Sequence, residues 1–173
     1  EGRSLPVSFG TFHAVFFSIL KHAYRYDASN IVREEQRIQL MRELVDRYRI
    51  DVEDEGEFIS SILSEISMVK GEMMSLEHYY SKNCSEEIFK KLYEGYNRGL
   101  ESRGLLDFDD MLVMCYQLFD QRKDILAAWQ SRYRFILIDE FQDINRVQYE
   151  IVKMLAAPEN NLFIVGDDDQ SIY

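Results

Sequence analysis

Two short apolar runs in this sequence each end in carboxylates: Asp139-Glu140 follows Phe135-Ile136-Leu137-Ile138, and Asp167-Asp168-Asp169 follows Leu162-Phe163-Ile164-Val165 and Gly166. Runs of this length are too short for helices and have no polar face, so they read as strands buried on two sides. In an open parallel sheet ligands bind at the carboxyl ends of the strands, and neighbouring strands lie only ~4.8 Å apart. Both acidic ends therefore open onto one crevice, where the carboxylates repel unless a cation or hydrogen bonds compensate them. Mg²⁺ is the economical compensation. It prefers oxygen ligands and usually takes one or two protein carboxylates together with substrate phosphates, which points to a nucleotide.

The elements that position these carboxylates are legible on either side. Asp143 precedes Ile144, Val147, Ile151, Met154 and Leu155 at near-helical spacing, and Pro158 follows as a stop. Strand, helix and strand then form a β-α-β unit with parallel strands. Upstream, apolar residues recur with a helical period from Phe12 to Ala23, then around Leu44, Ile62, Leu92 and Leu112, so the middle of the chain reads as all-α. Gly104 stands where a C-cap is expected and Asp107 where the next helix needs an acceptor, placing a boundary near residue 105.

Composition narrows the function classes. The 173 residues carry a formal charge of −11, with 46% hydrophobic and 29% charged residues, a globular balance without an apolar run long enough to span a membrane. Cys84 and Cys115 have no metal-like spacing, and no signal peptide is visible, so a reducing, cytoplasmic setting is expected. From residue 139 onward eight acids face two bases, a stretch that repels a naked polyanion. Position 1 is Glu and the chain stops at Tyr173 directly after the Asp-rich loop, so a piece of a longer protein is expected.

The string Ile138-Asp139-Glu140-Phe141-Gln142-Asp143, followed by Gly166-Asp167-Asp168-Asp169-Gln170-Ser171-Ile172-Tyr173, resembles motifs II and III of superfamily 1 DNA helicases of the UvrD/Rep/PcrA family. Gly10-Thr11-Phe12-His13-Ala14 looks like motif Ib, and Leu106-Asp107-Phe108-Asp109-Asp110-Met111-Leu112 looks like the acidic block upstream of motif II. The resemblance is strong over residues 9–16, 105–113 and 134–173. It implies an α/β fold: a partial RecA-like P-loop NTPase core, with parallel strands and helices, carrying a mainly α-helical insertion. Residues 1–26 would form the first part of subdomain 1A, residues 27–104 the helical insertion 1B, and residues 105–173 the remainder of 1A.

The same resemblance assigns roles. Asp139 would hold Mg²⁺ and Glu140 would orient and deprotonate the water that attacks the γ-phosphorus. Gln170 would touch the γ-phosphate, and Gln142 would belong to the same nucleotide-binding set. Thr11 and His13 would contact the DNA backbone or link it to the ATP site, and Tyr173 would stack on a single-stranded base. Residue chemistry also offers plainer roles. Thr11 can cap a helix with His13 packed on its first turn, Asp143 can cap the helix after it, and Asp109 and Asp110 suit a positive helix start.

No G-x-x-x-x-G-K-[ST] loop occurs in the 173 residues. The expectation is an ATP- and Mg²⁺-dependent helicase as the intact parent, moving 3′ to 5′ on single-stranded or tailed duplex DNA in repair or replication. The 173 residues alone would be inactive and bind DNA weakly or not at all. Two alternatives stand beside this. One is the helicase portion of a recombination helicase-nuclease. The other is a non-catalytic scaffold whose insertion binds a repair protein through exposed aromatics among Tyr79, Tyr80, Tyr93 and Tyr96.

Overall fold

Most of the long helices begin at a side chain that accepts from a free amide of the first turn, and these acceptors divide the chain. Thr11 Oγ1 accepts from Ala14 N at the start of α1 (Phe12–Tyr24). Helix α2 (Glu34–Tyr48) follows, then α3 (Glu55–Gly71) capped by Asp54 and α4 (Glu86–Ser102) capped by Ser85. Asp107 caps α5 (Phe108–Gln121), which leads into α6 (Lys123–Arg132). After α6 come β1 (Ile136–Ile138), a 3-10 turn at Phe141–Asp143, α7 (Arg146–Ala156) and β2 (Leu162–Ile164). This computed structural model describes residues 7–167. The fold is mostly helical with a small two-stranded parallel sheet, in which Ile136 pairs with Leu162 and Ile138 with Ile164.

Two hydrophobic cores form. The first gathers Leu40, Met41 and Leu44 of α2, Ile59, Ile62 and Ile66 of α3, and Phe89, Leu92 and Tyr96 of α4. The second gathers Phe16, Ile19 and Leu20 of α1 with Leu112, Cys115 and Phe119 of α5, Trp129 of α6, and Val147 and Ile151 of α7. The chain leaves the second core and returns to it side by side. Val32 N donates to Leu106 O (2.9 Å), Leu106 N to Asn30 O (2.7 Å), and Asn30 Nδ2 to Gly104 O (2.9 Å). Gly104, at φ +65°, lets the chain leave α4 and turn into this neck at little steric cost.

Four sequence expectations are corrected or extended. Among the described residues the strands are not buried on two sides: Ile138 is 6% exposed, but Leu137 and Phe163 are 73% and 63% exposed. Alternate strand residues point to opposite faces, and among the described residues helices cover only the face that Ile136 and Ile138 share. Asp143 does not cap α7, because Asn145 holds that position and accepts from Gln148 N. Helix α6 has no counterpart in the periodicity analysis. Its ten residues bury only Leu126 and Trp129, too few to mark a period. Of the candidate anchor tyrosines, Tyr79 and Tyr96 lie in the first core, while Tyr80 is exposed.

Candidate functional site

The backbone joins the ends of β1 and β2 beyond the last strand residues. Val165 N donates to Ile138 O (2.8 Å), and Phe141 N donates back to Val165 O (3.0 Å). Between these two bonds the chain turns sharply. Glu140 adopts a left-handed backbone (φ 52°), a conformation uncommon for a residue with a side chain, and its amide donates to Asp139 Oδ1 (3.0 Å). Both carboxylates are exposed.

Gln142 ties the two strand ends together. Its Nε2 donates to Glu140 Oε2 (2.6 Å), and its Oε1 accepts from Asp167 N (3.1 Å). Gly166 makes room for this amide: a Cβ there would sit 2.8 Å from Gln142 Oε1.

A cleft of about 500 Å³ opens beside this bracket, lined by Thr11, His13, Leu137, Asp139, Glu140 and Asp143 among others. The structure therefore brings both motif Ib residues to the same cleft as the motif II carboxylates. Thr11 Oγ1 is already used as the cap of α1. The His13 ring packs edge-on against Phe108 with centroids 5.1 Å apart. Burial lowers its pKa below the ordinary imidazole value, with Asp109 pulling the other way. Gln170 and Tyr173 lie outside the described residues, as do Asp168 and Asp169.

For Mg²⁺, the donor set is two adjacent exposed carboxylates, Asp139 and Glu140, at the end of a parallel strand. Among the described residues no group of three or more His, Cys, Asp or Glu side chains could hold a metal by itself. Two neighbouring carboxylates are the oxygen donors that Mg²⁺ takes from a protein when water and phosphate oxygens complete its shell.

A second polar cluster was not anticipated from the sequence. Lys70, in the last turn of α3, donates from Nζ to Asp107 Oδ2 (2.8 Å) and Asp110 Oδ1 (2.6 Å), while Ser67 Oγ donates to Asp109 Oδ2. The Lys70 and Asp107 side chains are 4% and 3% exposed. Burial alone would push the Asp107 carboxyl up, but the Lys70 ammonium outweighs it and holds the pKa below its ordinary value. Burial and the neighbouring Asp107 charge raise Asp110 to about 6 in spite of Lys70. The acids read as a simple helix start thus also anchor α5, in the second core, to α3, in the first. In the sequence these acids form an acid-rich turn whose ion-pair partner, Lys70, lies 37 residues away from Asp107.

The model of the UvrD/REP helicase N-terminal domain family matches residues 4–173. The chain belongs to that family. Among its relatives is YjcD of Bacillus subtilis (strain 168), provisionally an ATP-dependent DNA helicase, 41% identical over 95% of this chain and 22% of YjcD. The ATP-dependent DNA helicase Rep of Escherichia coli (strain K12) is 31% identical over 100% of this chain and 26% of Rep. DNA helicase II of the same organism is 32% identical over 95% of this chain and 23% of that helicase. The chain thus spans about a quarter of the length of the curated relatives it matches. No helix among the described residues is long and apolar enough to cross a membrane.

Proposed function

We propose that these residues form part of the ATPase and DNA-contact machinery of an ATP-dependent DNA helicase that moves 3′ to 5′ along single-stranded DNA. The observation that supports this reading is the joining of the two strand ends through Gln142, whose amide bonds both the Glu140 carboxylate and the backbone of Asp167. Membership of the UvrD/REP family and the names of its relatives support the same reading.

In this function Asp139 holds Mg²⁺ and Glu140 orients the attacking water and takes its proton. Bound Mg²⁺ supplies charge compensation for the phosphates, the main requirement of phosphoryl transfer. Gln170 reports on the γ-phosphate, Thr11 and His13 contact the DNA backbone or link it to the ATP site, and Tyr173 stacks on a base. Residues 7–26 and 105–167 belong to a RecA-like subdomain 1A, and residues 27–104 to an inserted subdomain 1B. Two separate cores joined by the neck at Asn30–Val32 and Gly104–Leu106 support that division.

The test is Glu140→Gln in the intact protein. Loss of the general base is expected to lower DNA-stimulated ATP hydrolysis by about 10²–10⁴-fold while nucleotide binding is kept. Turnover within a few-fold of the parent would refute the assignment.

A further inference from the structure

The motif resemblance places Gln142 in the nucleotide-binding set, but the geometry gives it a different task. A primary amide has one accepting and one donating end. The Asp167 N–H can only donate, so it must meet Oε1, and the Nε2 end is then turned to Glu140. The orientation of the amide is therefore set by the backbone of the loop after β2, and the Glu140 carboxylate follows the amide.

Two further features tighten this dependence. Glu140 sits in a left-handed backbone conformation that persists only where its surroundings over-determine it, and the bonds from Val165 N and to Val165 O flank it on both sides. Gly166 closes the arrangement, because any side chain at that position would place its Cβ 2.8 Å from Gln142 Oε1 and displace the amide.

We propose that Gln142 is a positioning residue that couples the backbone at Gly166-Asp167 to the carboxylate of Glu140, so that a shift of that backbone re-aims Glu140 without touching it. The proposal rests on the role given to Glu140 above. It names the part of the chain through which events at motif III reach the water-activating group.

The experiment uses the intact protein with Gln142→Leu, Gln142→Glu, Gly166→Ala and the double variant Gln142→Leu/Gly166→Ala, and measures kcat and KM for DNA-stimulated ATP hydrolysis. Gln142→Leu removes both bonds. Gln142→Glu keeps the acceptor for Asp167 N but sets a second carboxylate against Glu140. Gly166→Ala displaces an unaltered glutamine. Gln142 is half-buried and Gly166 exposed, so the fold is expected to survive each change.

Misplacement of a reacting group by about 1 Å costs on the order of 10²-fold, so each single change should lower kcat by about 10–100-fold. KM for ATP should stay within about twofold, and the double variant should be no slower than Gln142→Leu, since both changes break one bracket. A raised KM at unchanged kcat would mean that Gln142 binds nucleotide directly and would overturn the proposal; additive losses in the double variant would overturn it as well. Glu140→Gln separates the two levels. Turnover that survives it refutes the role of Glu140 and with it the proposal. Turnover lost there but kept in Gln142→Leu and Gly166→Ala refutes the positioning role alone.

Discussion

Replacing Lys70 by Met tests whether the buried cluster locks the two cores together. The ammonium lies 2.8 Å from Asp107 and 2.6 Å from Asp110, with side-chain exposures of 4%, 3% and 23% for the three residues. At an effective dielectric of ~20, each unit-charge contact at that range is worth roughly 6 kcal/mol before desolvation is subtracted. Burying the ammonium takes back several kcal/mol, and removing one partner of a buried pair typically costs about 3–5 kcal/mol because a charge is left unpaired. A destabilisation of about 3–5 kcal/mol at pH 8 is therefore expected from urea unfolding.

The pH dependence gives the sharper test. Asp110 already titrates at about 6 with Lys70 present, and Lys70 is one of the groups holding it down. Without Lys70 its pKa rises further, so the folded variant retains a proton that the unfolded chain releases above its ordinary carboxylate pKa. A raised pKa contributes stability that is present at low pH and lost as pH rises through the folded value. The lowered Asp107 pKa works in the opposite sense in the parent and is lost with its partner. The gap between parent and variant should widen from pH 5 to pH 8, by at most ~1.4 kcal/mol per pH unit for one proton. Adding Asp110→Asn to Lys70→Met should recover at least half of the loss at pH 8. An equally stable single variant, or a gap that narrows as pH rises, would refute the reasoning.

Three other outcomes are expected. Thr11→Ala removes the cap of α1 and should cost about 1 kcal/mol in thermal or urea unfolding; a cost near zero would show that the cap adds nothing. The 173 residues by themselves lack a phosphate-cradling G-x-x-x-x-G-K-[ST] loop and should hydrolyse ATP no faster than buffer; Mg²⁺-dependent turnover abolished by Glu140→Gln would contradict this. At a net charge of −11 the same residues should bind single-stranded DNA weakly and lose that binding as salt is added, and a fluorescence-anisotropy titration showing tight, salt-independent binding would count against it.

Local signals were the legible ones. The positions of α1 to α5 follow from apolar periods and that of Asp107 from helix-cap chemistry, because each depends on residues a few positions apart. Helix α6 is not legible because its burial is sparse, and the cap of α7 is Asn145 rather than Asp143 because the helix starts at Arg146, two residues later than the apolar period suggests. The apolar tetrads mark both faces of the strands as fit for burial, and among the described residues no element packs over the face of Leu137 and Phe163.

What the sequence determined alone is the order of the elements apart from α6, and the residue types at the strand ends: carboxylates that follow two apolar tetrads in a β-α-β unit. Only the tertiary structure decided which groups meet. Gln142 reaches Asp167 across 25 residues of chain, and Lys70 reaches Asp107 across 37. Propensity and periodicity describe a backbone relative to itself, while a hydrogen bond between distant residues exists only once packing has set their separation to within a few tenths of an ångström.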